Sequence, residues 1–129
     1  MKERFKCTIA VFLMLIRENN GETEILLQKR KNTGYMDGKY DLSSSGHLEQ
    51  NESLKQALVR ETREEIGIEI KEEDLELVNI FHENQSDIST EYLMITFRTN
   101  KYDGVPTIME PHKNEELLWV NINNIPENV

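Results

Sequence analysis

The chain of 129 residues has room for one hydrophobic core of ordinary size and is too short for a second domain, so a single domain over residues 1–129 is expected. Apolar residues make up 37% and charged residues 30%, and the apolar positions fall in short patterned runs, which excludes a disordered or fibrous chain and indicates a soluble globular one. A net charge of -9 with no cluster of Lys and Arg argues against nucleic acid as partner, and a phosphate ligand would need metal ions to bridge it to so acidic a protein.

Cys7 is the only cysteine, so no disulfide within the chain and no thiolate zinc site can form, and a cytoplasmic location is expected. The longest apolar run, Ile9 to Ile16, is too short to span a bilayer and has no small-residue cleavage site behind it, so neither export nor a membrane anchor is expected. Phe5 to Ile16 is rich in β-branched and aromatic residues. Glu24 to Arg30 follows after a polar link containing Asn20-Gly21, the dipeptide favoured where both turn residues take positive φ, and the two segments read as a hairpin. Lys31 to Ser45 holds Gly34, Asp37, Gly38 and three serines and reads as a long loop with a short strand near Tyr40 to Leu42.

Ser53-Leu54-Lys55-Gln56 fits a capping box and Gly67 fits the residue just beyond a helix end, so a helix is predicted over Leu54 to Ile66. Leu75 to His82 and Glu91 to Thr99 read as strands, Asp103-Gly104 as a turn, and Glu116 to Asn121 as a last strand with Trp119 in the core. One helix among several strands predicts a mixed sheet with helical cover. His47, His82 and His112 are too far apart in sequence to suggest a local ligand pair and read as surface or hydrogen-bonded residues.

The predicted helix turns acidic. Leu54, Ala57 and Leu58 mark the face that packs on the sheet, and its next members one turn on are Glu61, Glu64 and Glu65. Carboxylates crowded on a core-facing edge repel one another and lose hydration, so they either take up protons or acquire a compensating cation. Hard divalent ions prefer such oxygen ligands, but helical spacing alone leaves a metal site and a structural ion-pair network, with Arg60 and Arg63, equally open.

The wider pattern separates the two. Gly46, Glu52 and Arg60-Glu61-Thr62-Arg63-Glu64-Glu65-Ile66-Gly67-Ile68 stand at the spacing Gly-x5-Glu-x7-Arg-Glu-U-x-Glu-Glu-x-Gly-U, U being a bulky aliphatic, and resemble the signature of the Nudix hydrolases, MutT-like members included. Every fixed position agrees except Thr62, which stands where an aliphatic residue is expected. The resemblance extends to the early hairpin, the loop before Gly46 and the tail containing Glu110-Pro111, Trp119-Val120 and Ile125-Pro126.

It implies an α/β (α+β) fold: an α/β/α sandwich with a mixed sheet, carrying residues 46–68 as a loop-helix-loop. The family's usual last helix would start near Ile125 and is short or missing before Val129. It implies hydrolysis of a nucleoside diphosphate derivative at the pyrophosphate with Mg²⁺ or Mn²⁺. By the same resemblance Glu61, Glu64 and Glu65 bind metal, joined by the main-chain carbonyl of Ser45. Arg60 orients Glu61 through a charge-assisted bond, and Glu52, Gly46 and Gly67 act in support. Glu110 precedes a proline in a loop, as does the distant glutamate that some members use as metal ligand or general base; otherwise Glu61 is the base.

Thr62 brings a hydroxyl that can bond the carbonyl one turn back, and Ser44-Ser45 replaces the more usual Pro-Gly. Tyr35 and Met36 can stack on a base or serve as loop packing. No proline occurs between Ile68 and Pro106, which lowers an ADP-sugar reading, and no coenzyme A signature precedes the box. A nucleoside triphosphate, oxidised or otherwise non-standard, remains, giving monophosphate and pyrophosphate. The alternatives are another nucleoside diphosphate derivative such as a nucleotide sugar, or a Nudix-fold module that senses nucleotides without turnover. Loss of box carboxylates usually marks the latter, and none is lost here.

Overall fold

The computed structural model describes residues 4–31, 38–84 and 91–125. Strands β1 (Thr8–Asn19) and β2 (Glu22–Arg30) form the predicted hairpin, and Asn20 and Gly21 at its tip take φ of 53° and 80°, the left-handed geometry that lets two strands close tightly. β3 (Tyr40–Leu42) and β4 (Ser44–His47) follow, then helix α1 (Leu54–Ile66), a 3-10 turn at Glu72–Asp74, β5 (Glu76–Glu83), β6 (Tyr92–Thr99) and β7 (Asn114–Asn121).

β1 is the hub of the sheet. Its first two thirds run parallel to β6, from Thr8↔Tyr92 to Leu15↔Thr99, and antiparallel to β4, with Val11 opposite Gly46 and Phe12 opposite Ser45. Its end pairs with β2, which carries β3 and β7, while β5 lies on the outer edge of β6. The sheet is therefore mixed, as expected.

β4 was not legible in the sequence, where Ser44 and Ser45 read as the end of a loop. Two serines and a glycine have little strand propensity, and pairing with the apolar β1 overrides it. β7 likewise starts at Asn114 rather than Glu116.

Helix α1 has the predicted bounds because both ends are locally encoded. The Ser53 side chain accepts from the Gln56 N–H at 3.1 Å, and the Gln56 side chain accepts from the Ser53 N–H at 2.9 Å. Gly67 ends the helix at φ 69° with its N–H on the Arg63 carbonyl. Ala57, Leu58, Thr62 and Ile66 are its buried residues, and the three apolar ones share a core with Val11, Leu13, Leu15, Leu26, Ile95 and Phe97.

This corrects the helical face. The core stripe continues from Leu58 through Thr62 and Ile66, because a four-residue step preserves the face; Glu61 and Glu65 flank it, and Glu64 is exposed.

The other face of β2 and β7 holds a smaller cluster of Ile25, Leu27 and Val120. Trp119 is half-buried and packs against the main core, and the Arg17 guanidinium lies 4.1 Å above its ring. α1 is the one α-helix among the described residues, so a second helical layer is not seen there, and residues 126–129 of the expected last helix lie outside them. No helix among the described residues is long and apolar enough to cross a membrane.

Candidate active site

The site grows from the contact between β4 and the second half of α1. Ser45 turns its N–H to Glu65 Oε2 at 2.9 Å. Next to it, Gly46 leaves the space that Glu61 occupies: a Cβ on Gly46 would collide with the Glu61 Cγ and Cδ atoms. The first glycine of the signature is thus a packing requirement, because a side chain there would push Glu61 out of place.

Arg60 gathers the acidic groups around one guanidinium. Its Nε donates to Glu52 Oε2 at 2.7 Å, one terminal nitrogen donates to Glu52 Oε1 at 3.1 Å, and the other donates to Glu61 Oε1 at 2.7 Å. Longer contacts reach Glu64 Oε2 at 3.4 Å and the His47 carbonyl at 3.3 Å. A planar fork is needed for this, since one cation must hold two carboxylates at fixed angles. Two acidic partners stabilise the charge on Arg60, led by the bond to Glu52.

The carboxylates are strained electrostatically. Burial first, and then the charges of Glu61 and Glu110, push Glu65 up to about 8, only partly offset by the Ser45 N–H and Arg30. Burial also raises Glu61, and Glu64 and Glu110 add to the rise against the pull of Arg60. Among the described residues no three carboxylate, imidazole or thiol groups converge as a ready-made metal cage. Glu61 and Glu65 are instead held by Arg60 and by the Ser45 N–H.

Glu110 belongs to this neighbourhood, since its charge acts on both Glu61 and Glu65. The loop that carries it is tied to the end of α1: the Thr107 N–H donates to the Ile66 carbonyl at 2.9 Å and the Met109 N–H to the Glu65 carbonyl at 3.0 Å. Carbonyls left open at the helix end thereby find partners, and Glu110 follows directly after the second tie. Its side chain lies 3.6 Å from Lys113 Nζ.

The residues named from the sequence therefore gather as follows: Arg60, Glu61, Glu52 and Glu64 in one ion-pair network, and Glu65, Ser45, Gly46 and Glu110 around it. Gly67 ends the helix beside Met109. Tyr35 and Met36 lie outside the described residues. His47 and His112 are exposed, and His82 lies 2.9 Å from Glu91. Thr62 departs from expectation: its hydroxyl meets Ser44 Oγ at 2.8 Å. Sequence reasoning missed that pairing, the Arg30 charge near Glu65 and the 107–109 ties, none of which leaves a local signal.

A mixed sheet with a loop-helix-loop that sets Glu61 against Gly46, Glu65 against Ser45 and Arg60 between Glu52 and Glu61 has the layout of the Nudix class. The NUDIX domain family model matches residues 8–129, and the chain belongs to the Nudix hydrolase family. It is 30% identical over 105 residues to a Bacillus subtilis protein described as the uncharacterized Nudix hydrolase YvcI. That match covers 81% of this chain and only 62% of the relative's length. The crystal structure of a MutT NUDIX hydrolase from Burkholderia pseudomallei superposes with a TM-score of 0.83 at 22% identity, over 95% of this chain and 89% of that one. The NUDIX domain of Shewanella oneidensis NrtR, solved with ADP ribose, superposes with a TM-score of 0.74 at 16% identity, over 93% and 76%. These likenesses establish the fold.

Proposed function

We propose that the protein is a cytoplasmic Mg²⁺- or Mn²⁺-dependent pyrophosphohydrolase acting on a nucleoside diphosphate derivative. A nucleoside triphosphate, cleaved to monophosphate and pyrophosphate, is the favoured substrate. The observation that carries this reading is the packing of Glu61 and Glu65 on the Ser45-Gly46 backbone, with the Glu110 charge acting on both. A Glu65 carboxyl pushed to about 8 by burial gains from a cation, and the donors at hand are all hard oxygens, which fits magnesium or manganese.

Glu61, Glu64, Glu65 and the Ser45 carbonyl would hold the ion. Such an ion would supply charge neutralisation at the phosphoryl group and activation of water for attack. The chain's own residues do the rest. Arg60, anchored by Glu52, keeps Glu61 in one orientation. Glu110 accepts the proton of the attacking water, its loop being held in place by the 107 and 109 ties. The full set of box carboxylates favours an enzyme over a nucleotide-sensing module.

A panel of nucleoside triphosphates, oxidised triphosphates, ADP ribose and nucleotide sugars, assayed with Mg²⁺ or Mn²⁺ for release of phosphate or pyrophosphate, tests class and substrate together. Pyrophosphate released from a triphosphate is the expected result. Tight binding of ADP ribose with no turnover of any compound would overturn the reading in favour of a sensing module.

A further inference from the structure

Two positions at which the chain departs from the family pattern meet in space. Thr62 and Ser44 are both fully buried, and their hydroxyls are 2.8 Å apart. Each is next in sequence to a residue of the proposed metal site, Thr62 to Glu61 and Ser44 to Ser45. Two other ties of the same interface lie next to the pair, the Ser45 N–H on Glu65 and the close fit of Gly46 against Glu61.

The other ties between β4 and α1 come from long charged side chains, Glu65 on the Ser45 N–H, Glu61 against Gly46 and Arg60 on the His47 carbonyl, whose many torsions allow sliding that a short buried pair resists. Ser44 is also fixed in the sheet, opposite Leu13 of β1. A buried hydroxyl pair with no access to water is costly to break, because at least the Ser44 hydroxyl is left without a partner, so it favours one register of the two elements over a range. We infer that Ser44 and Thr62 are positioning residues of the hydrolytic reaction: their bond sets the register of β4 on α1, and with it the placing of the Ser45 carbonyl against Glu61 and Glu65 for divalent-ion binding. The inference rests on the metal reading above.

Positioning can be told apart from a merely structural contact because the two roles separate in a double variant. Thr62→Val and Ser44→Ala each remove one partner of the buried pair, whereas the double variant removes both hydroxyls together. Mn²⁺ affinity is read from loss of the free-ion paramagnetic resonance signal, alongside the melting temperature without metal and kcat and KM for the nucleotide found in the panel. Each single variant is expected to weaken Mn²⁺ binding by about tenfold, and to lower kcat with KM little changed at saturating ion. Thr62→Ser, which keeps the hydroxyl, should stay within about twofold of wild type.

The double variant should recover the melting temperature and not the ion affinity. Recovery of both together would reduce the pair to a structural contact and overturn the inference, as would wild-type ion affinity in Ser44→Ala, which remains available if Thr62→Val does not fold. A wild-type protein that binds no Mn²⁺ overturns the metal reading and this inference with it. Binding in the wild type that both single variants retain overturns the inference alone.

Discussion

Replacing Glu65 by glutamine should stabilise the metal-free protein at alkaline pH, an unusual outcome for a change in a proposed active site. The folded protein holds this carboxyl at about 8 against an ordinary 4.5, mainly through burial. Because the folded value is the higher one, the neutral acid is the form the fold prefers. Its contribution is complete below pH 4.5 and is lost progressively as the pH rises to about 8, after which the folded protein carries the full cost of a buried charge. At ~1.4 kcal/mol per pH unit the interval sets a ceiling of ~5 kcal/mol. Relaxation and water entry around a group that is not fully enclosed bring the expected figure to ~2 kcal/mol.

Glutamine has the same shape, keeps an oxygen for the Ser45 N–H and does not titrate. In a domain of this size ~2 kcal/mol corresponds to ~6 °C in melting temperature. Differential scanning calorimetry of wild type and Glu65→Gln between pH 4 and 9, in chelator, should show curves that coincide at the acid end and diverge from about pH 5. The same pair measured with Mn²⁺ at pH 8.5 should reverse order, since the wild type gains from an ion that binds only the folded state and the variant loses most of that gain. A melting-temperature difference that does not change with pH, or a variant less stable than wild type at pH 9, would refute a buried, electrostatically strained Glu65.

Gly46→Ala should lower turnover by more than ~10-fold and stability by ~1–3 kcal/mol, because the new methyl collides with Glu61; urea denaturation and steady-state assays read the two effects. Arg60→Lys keeps the charge but not the fork to Glu52 and Glu61, so turnover should fall by ~10–100-fold and the half-saturating Mg²⁺ concentration should rise. Glu64 is exposed, so Glu64→Gln should remove most of the turnover while shifting the melting temperature by no more than ~1 °C; retained turnover would remove Glu64 from the proposed site. Glu110→Gln should reduce kcat by ~100-fold with KM and fold preserved, and unchanged turnover would return Glu110 to a surface partner of Lys113.

The parts of this protein that could be read in advance are those whose cause lies within a few residues. The hairpin follows from Asn20-Gly21 between two apolar runs, and α1 from the Ser53/Gln56 box at one end and a left-handed Gly67 at the other. Neither needs the rest of the chain to be understood. The cluster of Arg60, Glu61, Glu64 and Glu65 was visible for the same reason, being carried on one helix at fixed spacing, and Gly46 and Glu52 came with it through the signature.

What remained hidden depends on groups brought together from far apart. β4 exists because β1 offers Leu13 and its neighbours an unpaired edge, and not because Ser44, Ser45 and Gly46 favour a strand. The helix alone suggested that Glu61, Glu64 and Glu65 share the core face; the sheet it packs on draws Thr62 and Ile66 inward and leaves Glu64 exposed. The loop carrying Glu110 is located by main-chain bonds to the Glu65 and Ile66 carbonyls, and main-chain bonds leave no mark on residue identity. The sequence by itself thus determined the local elements and the chemical inventory, through propensity, capping and spacing. Tertiary structure decided which carboxylates are buried, which hydroxyls meet and which loop faces the helix end, because burial and long-range hydrogen bonds exist only once β4, α1 and the 107–110 segment lie against one another.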